Sequence, residues 1–318
     1  MCIRDRRYIQ DLREGERISA IWFCRQKQTG TTKNGRSYYS LILQDKTGTI
    51  DAKVWDLGPG IDHFDPMDFI QVEAEVTSFA GSLQLNVKRV RRAGEGEYNP
   101  GDFFPTSQRD PEEMYQELLQ LAAKVKNEKL SRLVSSFFID DKKFAESFKK
   151  HSAAKSVHHG FIGGLLQHTL AVTKLCDFYC TQYPLLNRDL LLTAAMFHDI
   201  GKLEELSDFP ANDYTDDGQL LGHIMIGVER IGERIREIPG FPAKLASELK
   251  HCILAHHGEY EYGSPKKPAI IEALALNFAD NTDAKLEIMT ELLDGADTME
   301  WLGFNRLMDS NVRRTSRT

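Results

Sequence analysis

The hydrophobic period of this chain changes once, and that change limits what it can fold into. Between residues 16 and 92 apolar side chains recur at every second position, the signature of half-buried strands. From residue 111 to about residue 307 they recur at helical spacing. The intervening segment, GEGEYNPGDFFPTSQRD (94–110), is rich in Gly, Pro and acidic residues and keeps neither period. Two cores are therefore expected: a β domain over residues 1–93 and an α domain over residues 111–318, joined by a linker at 94–110. A length of 318 residues, with 41% apolar and 27% charged residues, suits two ordinary globular domains.

Five strand-like runs fill the first domain: ERISAIWFCRQKQ, RSYYSLILQ, TIDAKVWD, FIQVEAEVTSF and SLQLNVKRV. TKNG, DKTG and AG turns separate some of them. In the third run Ile50, Ala52 and Val54 share one face, while Thr49, Asp51, Lys53 and Trp55 share the other. Residues 57–64 are expected to form a short helix between strands three and four. Five strands with one such interruption describe an all-β OB-type barrel. The second domain opens with Asp110 as N-cap, Pro111 at the first helical position and Glu113 at the third. Met114, Leu118, Leu119 and Leu121 follow on one face. Helical periods dominate from there, so this half reads as an all-α bundle with a basic tail over 311–318.

The net charge of -7 hides an asymmetry: residues 1–93 carry 15 Lys and Arg against 12 Asp and Glu, the remainder 25 against 35. A slightly basic barrel suits a nucleic-acid partner, and an acidic helical half suits a cluster of metal-binding carboxylates. The five cysteines form no C-x-x-C pair, which argues against a disulfide framework or a thiolate zinc site. No apolar stretch approaches the roughly 18 residues of a membrane span, and the first residues lack a signal-peptide core. A cytoplasmic protein with no membrane partner is expected.

Six groups of the metal-ligand type lie in or beside apolar helical stretches: His168, the adjacent His198 and Asp199, His223, His256 and Asp280. An imidazole or carboxylate on the buried side of a helix is costly unless it is hydrogen-bonded or bound to metal, so several in one domain point to a shared centre. Core or surface placement explains any one of these histidines taken alone, but not the set. His198 and Asp199 stand at a helix end that Gly201 can terminate, so they point into one cavity. Neutral nitrogens and carboxylates in this order fit two divalent ions, which at roughly 3.5 to 4 Å apart activate water and clamp the oxygens of a phosphodiester. Asp199 is the candidate bridge. His257, about 100° of helix turn from His256, is an alternative ligand.

These segments resemble the HD phosphohydrolase superfamily, and the whole chain resembles the bacterial YhaM-type 3'-to-5' exoribonucleases. The resemblance is carried by LILQDKTGTIDAKVWD (41–56), HHGFIGGLLQHTLAV (158–172), AAMFHDIGKLEEL (194–206), YTDDGQLLGHI (214–224), ILAHHGEYEYGSPKKP (253–268) and ALNFADNTDAK (275–285). It implies an OB-fold domain fused to an HD domain and dependence on divalent metal, manganese or cobalt. It also implies release of 5'-mononucleotides from single-stranded RNA, with single-stranded DNA as a further substrate.

Beyond the ligands, Lys202 either neutralises a scissile phosphate or merely suits a helix end. His158 and His159 either contact phosphate and protonate the leaving oxygen, or cap and sit at the surface. Lys266 and Lys267 either line a substrate channel or lie in a solvated loop. On the barrel, Tyr38, Trp55 and Phe79 with Lys33, Arg36, Lys53 and Lys88 combine base stacking with backbone charge, as single-strand binders do. Tyr39 shares a face with Leu41 and Leu43 and belongs to the core. The rival functions are an HD-domain nucleotide phosphohydrolase and a non-catalytic RNA-binding protein. The barrel argues against the first, because a free nucleotide needs no platform for several bases. The complete ligand set argues against the second. HDIGKLEEL also lacks the Glu-Asp dipeptide of alarmone hydrolases, and GEYEYGSP lacks the GYP tripeptide of cyclic-dinucleotide phosphodiesterases.

Overall fold

The computed structural model describes residues 7–316, apart from residues 95, 105, 156–158, 295 and 297. The chain divides into two compact units, Met1–Pro105 and Thr106–Thr318.

In the first unit, β1 (Arg17–Thr31), β2 (Ser37–Asp45), β3 (Gly48–Val54), β4 (Phe69–Phe79) and β5 (Ser82–Arg92) close into a barrel in the order β1-β2-β3-β5-β4. β3 and β5 run parallel, whereas β4 pairs antiparallel with both β1 and β5. Closure leaves no unpaired edge. The predicted alternation holds: Ile50, Ala52 and Val54 are buried, and they face Leu43, Leu41 and Tyr39 across the β2–β3 ladder. Trp22, Ile70, Val72, Val76 and Leu85 complete the core.

Two features depart from the sequence reading. Residues 57–64 form no helix. Gly58, Pro59 and Gly60 oppose one, and the segment instead runs along β5, with the Asp62 amide donating to the Val90 carbonyl and the Val90 amide to the Gly60 carbonyl. This delivers Phe64 to the core as a fully buried plug, edge-on to Tyr39. Within the expected linker, Phe103 and Phe104 are buried. Phe104 packs on Phe23, and Phe103 packs on Phe69, which also stacks on Tyr98. Gly and Pro hide the period there, but two phenyl rings bury too much apolar surface to stay in water.

The second unit contains α1 (Pro111–Ala122), α2 (Glu128–Phe138), α3 (Lys142–Lys150), α4 (Gly164–Gln182), α5 (Arg188–Phe197), α6 (Lys202–Glu205), α7 (Asp216–Leu220), α8 (Gly222–Arg236), α9 (Ala243–Leu254) and α10 (Ile271–Asp294). Asp110 caps α1 as expected, accepting from the amides of Glu112 and Glu113 at 2.9 Å each. Every residue of α5 from Leu190 to Phe197 is buried, so α5 is apolar all round and is enclosed by its neighbours. Whatever follows its C-terminus must enter the interior. Helical structure ends at Asp294, earlier than the period suggested. Phe304–Asn305 then pairs with Ser310–Asn311 in a two-stranded turn, and the Asn305 side chain accepts from the amides of Leu307 and Met308. Among the described residues no helix is long and apolar enough to cross a membrane.

Phe64→Ala should test the plug. Emptying that position is expected to destabilise the barrel by about 3–5 kcal/mol, read from the denaturant midpoint of its unfolding. A loss below about 1 kcal/mol would show that the segment is a surface loop.

Candidate metal centre

The buried C-terminus of α5 leads directly into His198 and Asp199, which are 0% and 2% exposed. Five further elements aim side chains at the same point: His168 from α4, Lys202 from α6, His223 from α8, His256 and His257 just after α9, and Asp280 from α10. The turn is tight because of Gly201, though not in the way its sequence suggests. Its backbone is right-handed, with φ -65° and ψ -19°, so it does not terminate a helix through a left-handed conformation. What matters is the missing side chain: a Cβ there would lie 2.0 Å from the carbonyl oxygen of His223 and 2.8 Å from the amide nitrogen of Gly227. The His-Asp turn and α8 can meet only across a glycine.

Asp199 divides the centre into two groups. Its Oδ2 lies 3.5 Å from His168 Nε2 and 3.4 Å from His198 Nε2, and Asp280 Oδ1 is 3.2 Å from the same His168 nitrogen. Its Oδ1 lies 3.5 Å from His223 Nε2 and 3.7 Å from His256 Nε2. His168, His198 and Asp280 place ligand atoms within 4.8 Å of one another, as do His223, His256 and His257. Both His256 and His257 reach the second group.

The outer nitrogens fix the inner ones. His198 Nδ1 faces the Ala195 carbonyl at 2.8 Å, His256 Nδ1 that of Ile253 at 2.6 Å and His257 Nδ1 that of Tyr262 at 2.8 Å. A carbonyl only accepts, so each Nδ1 carries a hydrogen and each Nε2, when neutral, presents a lone pair. His168 and His223 instead turn Nδ1 to carboxylates, Asp283 at 2.7 Å and Glu205 at 3.0 Å. Asp199 Oδ1, His223 Nε2 and His256 Nε2 are buried without a hydrogen-bond partner, although they converge. A divalent cation satisfies such a set of oxygens and imidazole nitrogens, so the residues present fit a metal.

Electrostatics agree. Burial raises the Asp199 carboxyl, but Lys202, His198 and His223 outweigh it and hold the group well below the usual carboxylate range. Asp280 is lowered in the same way, chiefly by His168. Burial, reinforced by His257, keeps His256 well below the ordinary imidazole value, and burial with His223 lowers His257, so both stay neutral and able to donate lone pairs. His168 goes the other way: burial lowers it, but Asp280 and Asp283 raise it to about 10. A cation would there take the place of a proton.

Lys202 is not a solvated helix-end lysine. Its Nζ lies 2.7 Å from Asp199 Oδ2. His159 is not at the surface either: it is 1% exposed, with Nε2 2.9 Å from Asp283 Oδ2. His158 lies outside the described residues. Lys266 and Lys267 are exposed, and Lys267 pairs with Glu259. Sequence reasoning missed Asp283 and Glu205. Asp283 had a signal, one helical turn beyond Asp280. Glu205 had none, since only the fold separates it from Glu204, which pairs with Arg230.

The family model described as HD domain matches residues 165–285, the span that holds every one of the converging ligands. Residues 165–285 are an HD domain, and HD domains are metal-dependent. The 3'-5' exoribonuclease YhaM of Geobacillus sp. (strain WCH70) is 34% identical over 282 residues, 88% of this chain and 86% of that protein. The 3'-5' exoribonuclease YhaM of Bacillus velezensis is 35% identical over 282 residues, 88% of each chain. The chain belongs to the YhaM family. Among solved structures it is similar to the second OB-fold domain of replication protein A from Methanococcus maripaludis, with 19% identity and a TM-score of 0.24, covering 29% of this chain and 98% of that one.

Gly201→Ala is expected to force the His-Asp turn away from α8, lower metal content and abolish metal-dependent hydrolysis while the barrel stays folded. Metal analysis of the purified variant checks this, and full occupancy would remove the close-approach argument.

Proposed function

We propose that this protein is a metal-dependent 3'-5' exoribonuclease that degrades single-stranded RNA to 5'-mononucleotides and also accepts single-stranded DNA. The observation that carries the reading is the placement of Asp199, whose two carboxylate oxygens face two separate groups of imidazoles. That pattern suits two divalent ions, manganese or cobalt, with His168, His198 and Asp280 holding one, His223, His256 and His257 the other, and Asp199 shared. When bound, such ions polarise a phosphoryl oxygen and make water acidic enough to attack at neutral pH. Lys202, beside Asp199, offers its ammonium to a phosphate oxygen. The polarity rests on the names of the relatives.

Single-strand binding is assigned to the barrel. The faces of strands two and three, with the loops joining strands one to two and four to five, are where OB folds take oligonucleotides. Here β2 and β3 present Tyr38 and Lys53, and Trp55 follows directly on β3. Lys33 and Arg36 are exposed between β1 and β2, and Phe79 is 71% exposed at the end of β4. Tyr38 and Trp55 pack at 4.8 Å between ring centroids. Gly30 faces Tyr38 across the ladder, where a Cβ would lie 2.5 Å from the tyrosine ring. The ring thus lies over bare backbone, with Trp55 beside it. Lys53 donates to Ser40 at 2.5 Å and Lys88 to Asn86 at 3.3 Å, which extends the polar surface towards β5. Lys266 and Lys267, exposed in the loop that follows His257, are assigned to the substrate channel. A cytoplasmic setting suits the free thiols of Cys24, Cys176, Cys180 and Cys252.

With Mn2+ present, 5'-labelled linear RNA should shorten in a ladder, 3'-labelled RNA should release labelled mononucleotide at once, and Asp199→Ala should do neither. Cleavage of a circular single-stranded RNA would defeat the exonuclease reading.

Trp55→Ala should weaken single-strand binding by about 1–3 kcal/mol, roughly 5- to 150-fold, with little change in hydrolysis of a mononucleotide ester. Unchanged affinity in a filter-binding titration would move the nucleic-acid surface elsewhere.

A further inference from the structure

One imidazole in the centre is gripped at both nitrogens by carboxylates a single helical turn apart. Asp280 Oδ1 lies 3.2 Å from His168 Nε2, and Asp283 Oδ2 lies 2.7 Å from His168 Nδ1. The same Asp283 oxygen is 2.9 Å from Nε2 of His159. His159 reaches it from a backbone that side chains rarely adopt, with φ +61°. Its carbonyl accepts from the Ala153 amide at 3.0 Å and presses on the first turn of α4, where a Cβ on Gly164 would meet that carbonyl oxygen at 2.0 Å. The loop before α4 is thus fastened to the helix that carries His168.

We propose that His159 and Asp283 are positioning residues acting in series: His159 fixes the Asp283 carboxylate, and Asp283 fixes the ring orientation and tautomer of His168, so that the Nε2 lone pair faces Asp199 and Asp280. This rests on the reading that His168 is a metal ligand. With two N–H donors on one oxygen, Asp283 cannot swing away from His168 without leaving His159 Nε2 buried and unpaired. The second group is served differently, because Glu205 Oε1 holds His223 through both its ring, at 3.0 Å, and its backbone amide, at 3.1 Å. The two groups therefore have separate supports, and a change at Asp283 or His159 should be felt in only one of them. The polar contact of the His159 ring is with Asp283, and its effect travels through that carboxylate.

Full-length metal-free protein should be titrated with Mn2+ by calorimetry for the wild type, Asp283→Ala, Asp283→Asn, His159→Ala, His159→Gln and the double variant with Ala at both positions. The loaded forms should then be assayed for kcat and KM on single-stranded RNA. Asp283→Ala is expected to weaken one binding event by about 10- to 100-fold and leave the other unchanged. His159→Ala should weaken the same event by a smaller factor, and should cost nothing further in the Asp283→Ala background. His159→Gln, whose amide N–H can take the place of Nε2–H, should restore most of the loss. It carries a Cβ just as the Ala variant does, so the backbone penalty is common to both. KM should hold while kcat falls. If Asp283→Ala fails to fold, Asp283→Asn keeps an acceptor of the same shape and should show a smaller weakening of the same event. A loss from His159→Ala that is as large in the double variant as in the wild type would overturn the series arrangement. So would binding by every variant equal to wild type. Wild-type protein that takes up no Mn2+ would instead sink the metal reading itself.

Discussion

Burying a carboxylate at the centre of a helical bundle costs several kcal/mol unless its oxygens find partners, and the helical unit is organised around meeting that demand for Asp199. α5 is apolar on every side and so carries its C-terminal residues into the interior, where water cannot solvate them. Other helices of the unit supply what the carboxylate needs: imidazoles from α4, α8 and the end of α9, and an ammonium from α6. Like charges would make Asp199 and Asp280 repel if nothing positive lay between them. Lys202 beside Asp199 and His168 between the two acids supply that charge, which explains why burial fails to neutralise either acid.

Precision in such a centre depends on what stands behind the ligands. Three imidazoles lean on backbone carbonyls, which belong to the helix ends themselves and cannot rotate away. The other two lean on carboxylates, which are charged and can be replaced by mutation without moving the main chain. Glycine contributes in a different manner. At Gly201 and Gly164 the chain passes so close to a neighbouring carbonyl that even a methyl group would not fit, so these positions set distances between elements rather than turn angles.

Much of this could be read from the sequence. The change of period marked the two folds, Asp110 announced the first helix, and the buried imidazoles and carboxylates marked the centre because polar groups on apolar faces are costly. What escaped were features decided by facing rather than by spacing. Residues 57–64 satisfy their backbone on β5, a partner that no local pattern reveals. Phe103 and Phe104 sit among helix and strand breakers, so their burial depended on a barrel surface that had to exist first. In the sequence His159 stands open between a phosphate contact and a surface position because the loop that carries it has no period, and Glu205 differs from Glu204 only by the side of a short helix it occupies. His256 and His257, expected as alternatives, lie in one group with His223 because the chain leaves the helix at Ala255.

The residues that build the centre are spread from His168 to Asp283, and the last two of these, Asp280 and Asp283, lie on α10, the last helix among the described residues. During synthesis, a nascent polypeptide that has not yet released α10 from the ribosome has His168, His198 and Asp199 but neither Asp280 nor Asp283. It can gather His223, His256 and His257 around Asp199 earlier, because all of these precede α10. The contacts that Asp280 and Asp283 make with His168 therefore form only when α10 docks. A truncated chain that ends before α10 would keep half a centre and no means of completing it.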